Sequence, residues 1–156
     1  MAIPGYEIDD AGNLAMDFAR CQAALGHLKT LDARHYICLS TASEIDQEEI
    51  DDICDLVRAR GISAYHMPVE DYAQPDEAFL QSWAEMSAEL HRSLDAGGGV
   101  VLQCLAGCGR SGTIAALLLI ERGMAPQQAI ETVRAINEES IESATQQAFL
   151  LSRHRL

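Results

Sequence analysis

Positive charge is scarce in this chain of 156 residues. It contains a single lysine, Lys29, and its net charge is −13. Proteins that bind nucleic acid or anionic membranes carry basic patches, so this composition opposes both kinds of partner. Any attraction for phosphate groups must therefore come from a few well-placed local donors.

Long apolar runs are also missing. The most apolar stretch, residues 114–120, is too short to cross a bilayer. Residues 1–10 have neither the basic region nor the apolar segment of an export signal. We therefore expect a soluble, cytoplasmic protein. With 48% hydrophobic residues, the chain is expected to form one domain over residues 1–156 around a sizeable core.

The five cysteines lack the paired spacing of a disulfide framework. An odd number of dispersed cysteines suits a reducing compartment. Cys104 and Cys108 have no second cysteine or histidine pair at zinc-ligand spacing, so neither a metal site nor a cofactor is predicted. Cys38 and Cys54 fall in apolar patterns and are predicted to be core thiols.

Residues 103–112, Gln-Cys-Leu-Ala-Gly-Cys-Gly-Arg-Ser-Gly, lie between an apolar run and a helical pattern. Gly107 and Gly109 allow successive amides to turn inward around an anion. Arg110 can clamp that anion, and the positive end of the following helix favours both a bound phosphate and an ionised Cys104. The segment predicts a phosphate-binding loop with Cys104 as nucleophile rather than a structural turn with a buried thiol.

Other residues of this loop complete the predicted site. Ser111 can donate a hydrogen bond to the thiolate, start the helix, or do both. The Cys108 thiol either packs within the loop or captures an oxidised Cys104 as a reversible disulfide. The predicted phosphate-binding positions are Leu105, Ala106, Gly107, Cys108, Gly109 and Arg110.

A general acid is predicted upstream, because cleavage of a phosphate monoester leaves an alkoxide or phenoxide that needs a proton. Asp71 lies in a loop bounded by Pro68 and Pro75, before a helix that starts near Asp76. Glu70 and Asp76 would favour the protonated form of Asp71 if they lie close to it. Alternatively, Asp76 caps the helix and the other two carboxylates are solvated. The downstream phosphate loop favours catalysis by Asp71.

These segments resemble the cysteine-dependent protein tyrosine and dual-specificity phosphatase superfamily, whose loop reads His-Cys-x5-Arg-Ser/Thr. Residues 68–75 are similar to the acid loop of that family. Residues 141–150 are similar to the Ile-Glu-Thr-x-x-Gln-x-x-Phe segment of many small members. The resemblance covers most of residues 63–153. It implies a tyrosine-phosphatase-like fold and a phosphorylated protein or small phosphomonoester as substrate.

By position, the resemblance also implies individual roles. Cys104 forms a phosphocysteine intermediate, and Arg110 binds the phosphoryl oxygens. Asp71 protonates the leaving group and then activates water, while Ser111 assists release of the thiolate. Gln146 helps to place the water.

The sequence departs from the family pattern at two places. Gln103 replaces the histidine that orders the loop and helps the thiol to ionise, and residues 137–138 replace an Arg-Pro pair. We expect a working but slower enzyme of the dual-specificity type. One alternative is a phosphate-binding module without turnover. The other is a rhodanese-like sulfurtransferase, and the Arg110-Ser111 ending and Asp71 disfavour this second alternative. The loop also lacks the lysines of relatives that act on phosphoinositides, so polyphosphorylated lipid headgroups are not expected as substrates.

Alternating strand and helix patterns predict an α/β fold with a central, mainly parallel sheet of four to five strands flanked by helices. The nucleophile is then at the carboxyl end of a strand, where ligands bind in such sheets. Trp83 lies on an apolar stripe and is predicted to be in the core, while Tyr72 either packs beside a substrate ring or covers the core. The predicted strands are 14–18, 35–40, 62–69 and 100–102, and the predicted helices include 77–94, 111–122, 126–137 and 143–153.

Overall fold

The computed structural model describes residues 1–8 and 14–153. Its strands are β1 (Tyr6–Ile8), β2 (Leu14–Met16), β3 (Ala33–Cys38), β4 (Ser63–His66) and β5 (Gly99–Gln103). Its α-helices are α1 (Phe18–Gly26), α2 (Gln47–Arg58), α3 (Glu77–Asp95), α4 (Gly109–Glu121), α5 (Pro126–Ile136) and α6 (Ala144–Leu151), and a 3₁₀ helix spans His27–Leu31. This order confirms the predicted alternation of strands and helices. No helix in the described ranges is long and apolar enough to cross a membrane.

The central sheet is parallel, with strand order β4-β3-β5. Tyr36 of β3 is paired with Ala64 on one side and Val101 on the other. The prediction of four to five strands is wrong for the described residues, where this sheet has three. β1 and β2 instead pair antiparallel in a separate sheet. They are close in sequence, and a parallel neighbour would require a crossover connection of a dozen or more residues.

The predicted strand at 62–69 is also shorter in the structure, where β4 ends at His66. Pro68 has no N–H to give to the ladder. The neighbouring amides of Met67 and Val69 still donate to Cys38 and Leu39, at 2.8 and 3.0 Å. These bonds hold the start of the loop that contains Asp71 against the end of β3.

Local sequence signals explain where α2 and α3 form. α2 buries an apolar stripe at Ile50, Ile53, Cys54 and Val57, which recur at helical spacing. Asp76 caps α3 by accepting a hydrogen bond from the amide of Phe79 at 2.8 Å. Trp83 is buried, which confirms the core prediction, and its indole N–H donates to Glu121 at 2.8 Å.

The core consists of two apolar clusters. One unites β3 and β5 with α3, α4, α5 and α6, and the other unites the sheet with α1 and α2. Burial raises the pKa of the Cys38 thiol to about 12, and also raises the pKa of Cys54. Both are therefore inert core thiols at neutral pH, as predicted.

Two isoleucines of α5 provide a test of the core. Ile130 is 1% exposed and Ile136 is 88% exposed. Ile130→Ala is expected to lower the free energy of unfolding by about 2–5 kcal/mol, because it removes buried methyl groups and leaves a cavity. Ile136→Ala is the matched control and should change it by less than about 0.5 kcal/mol. Urea unfolding of both variants measures the difference, and equal losses would contradict this packing.

Candidate active site

The predicted nucleophile loop, residues 104–110, joins the carboxyl end of β5 to the amino end of α4. β5 ends at Gln103 and α4 begins at Gly109. Gly107 has φ +79°, a left-handed conformation that side chains oppose. A Cβ on Gly109 would lie 2.7 Å from the carboxylate of Glu142. The turn therefore requires glycine at position 107, whereas a Cβ at position 109 would displace the end of the flexible Glu142 side chain.

The Cys104 thiol is buried inside this loop. It donates to the Ser111 hydroxyl, with Sγ and Oγ 3.5 Å apart, and its sulfur accepts from the Gly107 amide at 3.2 Å. A thiolate in the same place would accept from both groups. The loop backbone is fixed from outside by Ile3, whose amide donates to the Leu105 carbonyl at 3.1 Å.

The Arg110 guanidinium is buried and held by a carboxylate. Its two terminal nitrogens each lie 2.6 Å from an oxygen of Glu44, and one also donates to the Val69 carbonyl at 3.0 Å. Burial alone would raise the pKa of Glu44, but the hydrogen bonds from Arg110 and Thr41 outweigh it and lower that pKa. Burial opposes the charge on Arg110 as well, yet Glu44 raises its pKa. The guanidinium is therefore both charged and fixed in orientation.

Glu44 is a site residue that sequence reasoning missed. Thr41 holds its carboxylate, with the Thr41 amide at 2.8 Å and the hydroxyl at 3.1 Å. The segment Thr-Ala-Ser-Glu at 41–44 has the Ser/Thr-x-x-Glu spacing of a capping box, directly after a strand. That spacing is the signal that could have identified it.

Glu44→Gln tests this pairing. The variant removes the bidentate counter-charge of a buried guanidinium and leaves it only the half-exposed Asp71, so we expect a loss of about 3 kcal/mol in the free energy of unfolding. A carboxylate with a lowered pKa stabilises the fold fully at pH values above 4.5, its ordinary pKa. That stability is lost as the pH falls through the lowered pKa. The difference between wild type and variant should therefore be full at pH 7 and shrink at low pH. Denaturant unfolding across pH measures it, and a pH-independent difference would contradict the pairing.

The acid loop brings Asp71 to the same place. The Asp71 carboxylate lies 3.3 Å from the Arg110 guanidinium and its side chain is 51% exposed. Asp76 caps α3, as the alternative prediction stated, but Asp71 is in an ion pair rather than merely solvated. Arg110 therefore connects the two parts of the candidate site, because it pairs with Asp71 and lies within electrostatic reach of the Cys104 thiol.

Tyr72 follows Asp71 in the acid loop. It has φ +56°, and its carbonyl accepts from the Ser143 hydroxyl at 2.7 Å. The side chain is 59% exposed and lines a cavity beside the nucleophile loop, together with Ala106 and Cys108. This exposure opposes the prediction that the ring covers the core, and its packing beside a substrate ring stays a prediction.

Gln103 is fully buried in a neutral hydrogen-bond network. Its side-chain oxygen accepts from the Tyr36 hydroxyl at 3.2 Å, and its side-chain nitrogen donates to the Ser40 hydroxyl at 2.8 Å. Burial raises the pKa of Tyr36, so that hydroxyl remains a neutral donor. The position before the nucleophile is thus ordered by groups that do not titrate near neutral pH.

Gln146 has a structural role in this structure. It forms a capping box with Ser143 at the start of α6, with its side-chain oxygen 3.3 Å from the Ser143 amide. Its side-chain nitrogen is buried and has no hydrogen-bond partner in the described ranges. The role in placing water stays a prediction.

The segment that follows α5 contacts the loop directly. Asn137 donates to the Cys108 sulfur at 3.3 Å, and the Gly109 amide donates to the Glu142 carboxylate at 2.6 Å. Cys108 is therefore hydrogen-bonded within the loop, and its redox role stays a prediction. The contact between Glu142 and the loop was not predicted, because it depends on how α5 and α6 pack against α4.

The chain is similar to known phosphatase domains. The model of the family described as Swiss Army Knife protein, DSP-PTPase phosphatase domain, matches residues 10–153. Cyclin-dependent kinase inhibitor 3 of Sus scrofa is 28% identical over 135 residues, which are 85% of this chain and 59% of that protein. Protein tyrosine phosphatase type IVA 3 of Mus musculus is 33% identical over 84 residues, which are 53% of this chain and 47% of that protein. The chain thus spans about half to three-fifths of the length of these curated relatives.

A solved structure shows the same fold. Kinase associated phosphatase, crystallised with its catalytic-site cysteine replaced by serine, superposes with a TM-score of 0.76 and 25% sequence identity. The match covers 98% of this chain and 86% of that one. It extends over nearly the whole chain, including both segments that supply the candidate site.

Proposed function

The chain belongs to the Swiss Army Knife family of DSP-PTPase phosphatase domains, and from that premise we propose that it hydrolyses phosphate monoesters through a phosphocysteine on Cys104. The observation that carries this proposal is that the loop with the Cys104 thiol also contains a fixed guanidinium, Arg110, which is paired with the Asp71 carboxylate. The amino end of α4 and the loop amides that are not bound by Glu142 supply further positive potential for a phosphate.

In the first half-reaction, the Cys104 thiolate attacks phosphorus while Arg110 holds the phosphoryl oxygens. The phosphorus–sulfur bond forms as the bond from phosphorus to the leaving oxygen breaks. Asp71 gives its proton to that oxygen, so that a neutral alcohol or phenol departs. The bond between Arg110 and Glu44 keeps the guanidinium in position during this step.

In the second half-reaction, water attacks the phosphocysteine. Asp71, now a carboxylate, accepts a proton from the water as the phosphorus–sulfur bond breaks. The Ser111 hydroxyl, 3.5 Å from the sulfur, donates to the departing thiolate. Inorganic phosphate leaves, and both catalytic groups return to their initial states. The reaction needs no resident metal or cofactor.

We infer that the substrate is a phosphorylated protein and that the chain is a phosphatase of the dual-specificity type. Its relatives include protein tyrosine phosphatases, and its size favours the shallower site of dual-specificity members. We also infer a cytoplasmic location, because the mechanism requires a free thiol and all five cysteines are free in the structure.

Purified protein assayed with an aryl phosphate, with and without a metal chelator, tests this function. The proposal predicts chelator-resistant release of inorganic phosphate. A thiosulfate assay run in parallel tests sulfur transfer. Consumption of thiosulfate without phosphate release, or phosphopeptide binding without turnover, would reject the phosphatase in favour of one of the two alternatives.

A further inference from the structure

A cavity of about 540 Å³ opens beside the nucleophile loop. Ala106 and Cys108, which belong to the predicted phosphate-binding positions, line it on the loop side, and Tyr72 lines it from the acid loop. A phosphate bound by the loop would therefore have the rest of its molecule in this cavity. Side chains here contact the parts of a substrate that distinguish one phosphomonoester from another.

The cavity has a strongly negative lining. Its charged side chains are Arg134, Glu138, Glu139 and Glu142. One cation thus faces three carboxylates, in a chain whose net charge is −13.

The Arg134 guanidinium is already engaged by the protein. Its Nε donates to the Ser140 carbonyl at 3.1 Å. One terminal nitrogen donates to the Ile141 carbonyl at 2.9 Å and to the side-chain oxygen of Gln147 at 3.1 Å. These bonds fix the backbone of the cavity wall and leave this cation poorly placed to bind a second phosphate.

The carboxylates differ in what they contact. The Glu142 carboxylate accepts a hydrogen bond from the Gly109 amide at 2.6 Å, so it is bound to the nucleophile loop. Glu138 and Glu139 are exposed at the cavity, with the amide of Glu139 fixed by the Asn137 side chain at 3.1 Å. The Glu139 carboxylate also accepts from the Cys108 thiol at 3.9 Å, and both carboxylates are accessible to a bound molecule.

Taking the proposed phosphatase activity as premise, we propose that the substrate is a phosphorylated peptide segment with Lys or Arg beside the phosphorylated residue. A dianionic phosphate is compensated by Arg110 and the loop amides, so the carboxylates of the wall act on the remainder of the substrate. They attract a neighbouring cationic side chain and repel further phosphates. The exposed Tyr72 ring offers a face for a guanidinium or for the aliphatic stem of lysine.

Phosphotyrosine peptides that differ only in the charge beside the phosphorylated residue test this selectivity. Three peptides of one length carry arginine, glutamine or glutamate at the positions flanking the phosphorylated residue. At low salt, kcat/KM is expected to be about tenfold higher for the arginine peptide than for the glutamate peptide, with glutamine between them. The ratio should fall as salt is raised, because these carboxylates are exposed to solvent.

Two double variants with equal loss of charge locate the effect. Glu138→Gln with Glu139→Gln should bring the arginine-to-glutamate ratio close to one. Glu85→Gln with Glu89→Gln, on exposed positions of α3, removes the same charge away from the cavity and should keep the ratio. If both variants lower the ratio equally, the effect comes from net charge and the inference is wrong.

The same assays separate this inference from its premise. Turnover of an aryl phosphate with an arginine-to-glutamate ratio near one would overturn the peptide selectivity and leave the phosphatase intact. Faster hydrolysis of an inositol polyphosphate headgroup than of the arginine peptide would also overturn it. No release of phosphate from the aryl phosphate would reject the proposed function, and the selectivity with it.

Discussion

Cys104→Ser is expected to lower kcat for an aryl phosphate by at least about 10⁴-fold, the scale seen when a nucleophile that works with other groups is removed. A serine hydroxyl stays protonated at neutral pH, and the loop amides that would stabilise a thiolate do not make it a comparable nucleophile. The change is small in volume, and a serine hydroxyl can likewise accept from the Gly107 amide and donate to Ser111. The fold should therefore be retained.

The control for this variant is Cys54→Ala, which removes a buried thiol from α2. It should lose some stability but keep kcat within about twofold, because Cys54 packs in the core cluster on the other side of the sheet. Binding of inorganic phosphate to the Cys104→Ser protein is a further check, since Arg110 and the loop amides remain. Turnover by Cys104→Ser within tenfold of the wild type would contradict the assignment of the nucleophile.

Asp71→Asn is expected to lower kcat by about 10²–10⁴-fold for phenyl phosphate, whose leaving group needs a proton. The loss should be much smaller for a nitrophenyl phosphate, because nitrophenolate departs without help. Initial rates with both substrates measure these effects.

Glu70→Gln is the matched control, since Glu70 is the exposed neighbour of Asp71 in the same loop. It should leave the leaving-group dependence unchanged. If Asp71→Asn slows the two aryl phosphates by the same factor, Asp71 only orients Arg110, to which it is ion-paired. The proton donor would then have to be another group.

Features governed by short-range sequence were predictable. The apolar stripe of α2, the Asp76 cap of α3 and the turn at Gly107 each depend on residues within a few positions of one another. The nucleophile loop belongs to this class, because a strand, a glycine turn and a helix start follow each other directly. Its arrangement around Cys104 could therefore be predicted from the order of residues alone.

Features governed by distant contacts were not predictable in the same way. Glu44 reaches Arg110 across 66 positions of sequence, and Glu142 reaches Gly109 across 33. Such pairs are formed only when β3, α4 and the segment before α6 are packed together. The predicted number of strands in the parallel sheet was wrong for a similar reason, because β1 and β2 pair with each other and not with the parallel sheet.

At Gln103 the structure shows what replaces the histidine of the family pattern. The family comparison indicated only that a histidine is missing, with a slower enzyme as the expectation. The structure adds that Tyr36 and Ser40 satisfy both ends of the Gln103 side chain. The residue before the nucleophile is therefore ordered without a titrating group.

Trapping the phosphoenzyme tests the central claim most directly. Wild-type protein and the Cys104→Ser variant would be mixed with an aryl phosphate, quenched within milliseconds, digested and examined by mass spectrometry. The mechanism predicts one added phosphoryl group on the peptide that contains Cys104 in the wild type, and none on that peptide in the variant. Turnover in the wild type with no phosphoryl group on that cysteine, or with the group on another residue, would contradict it.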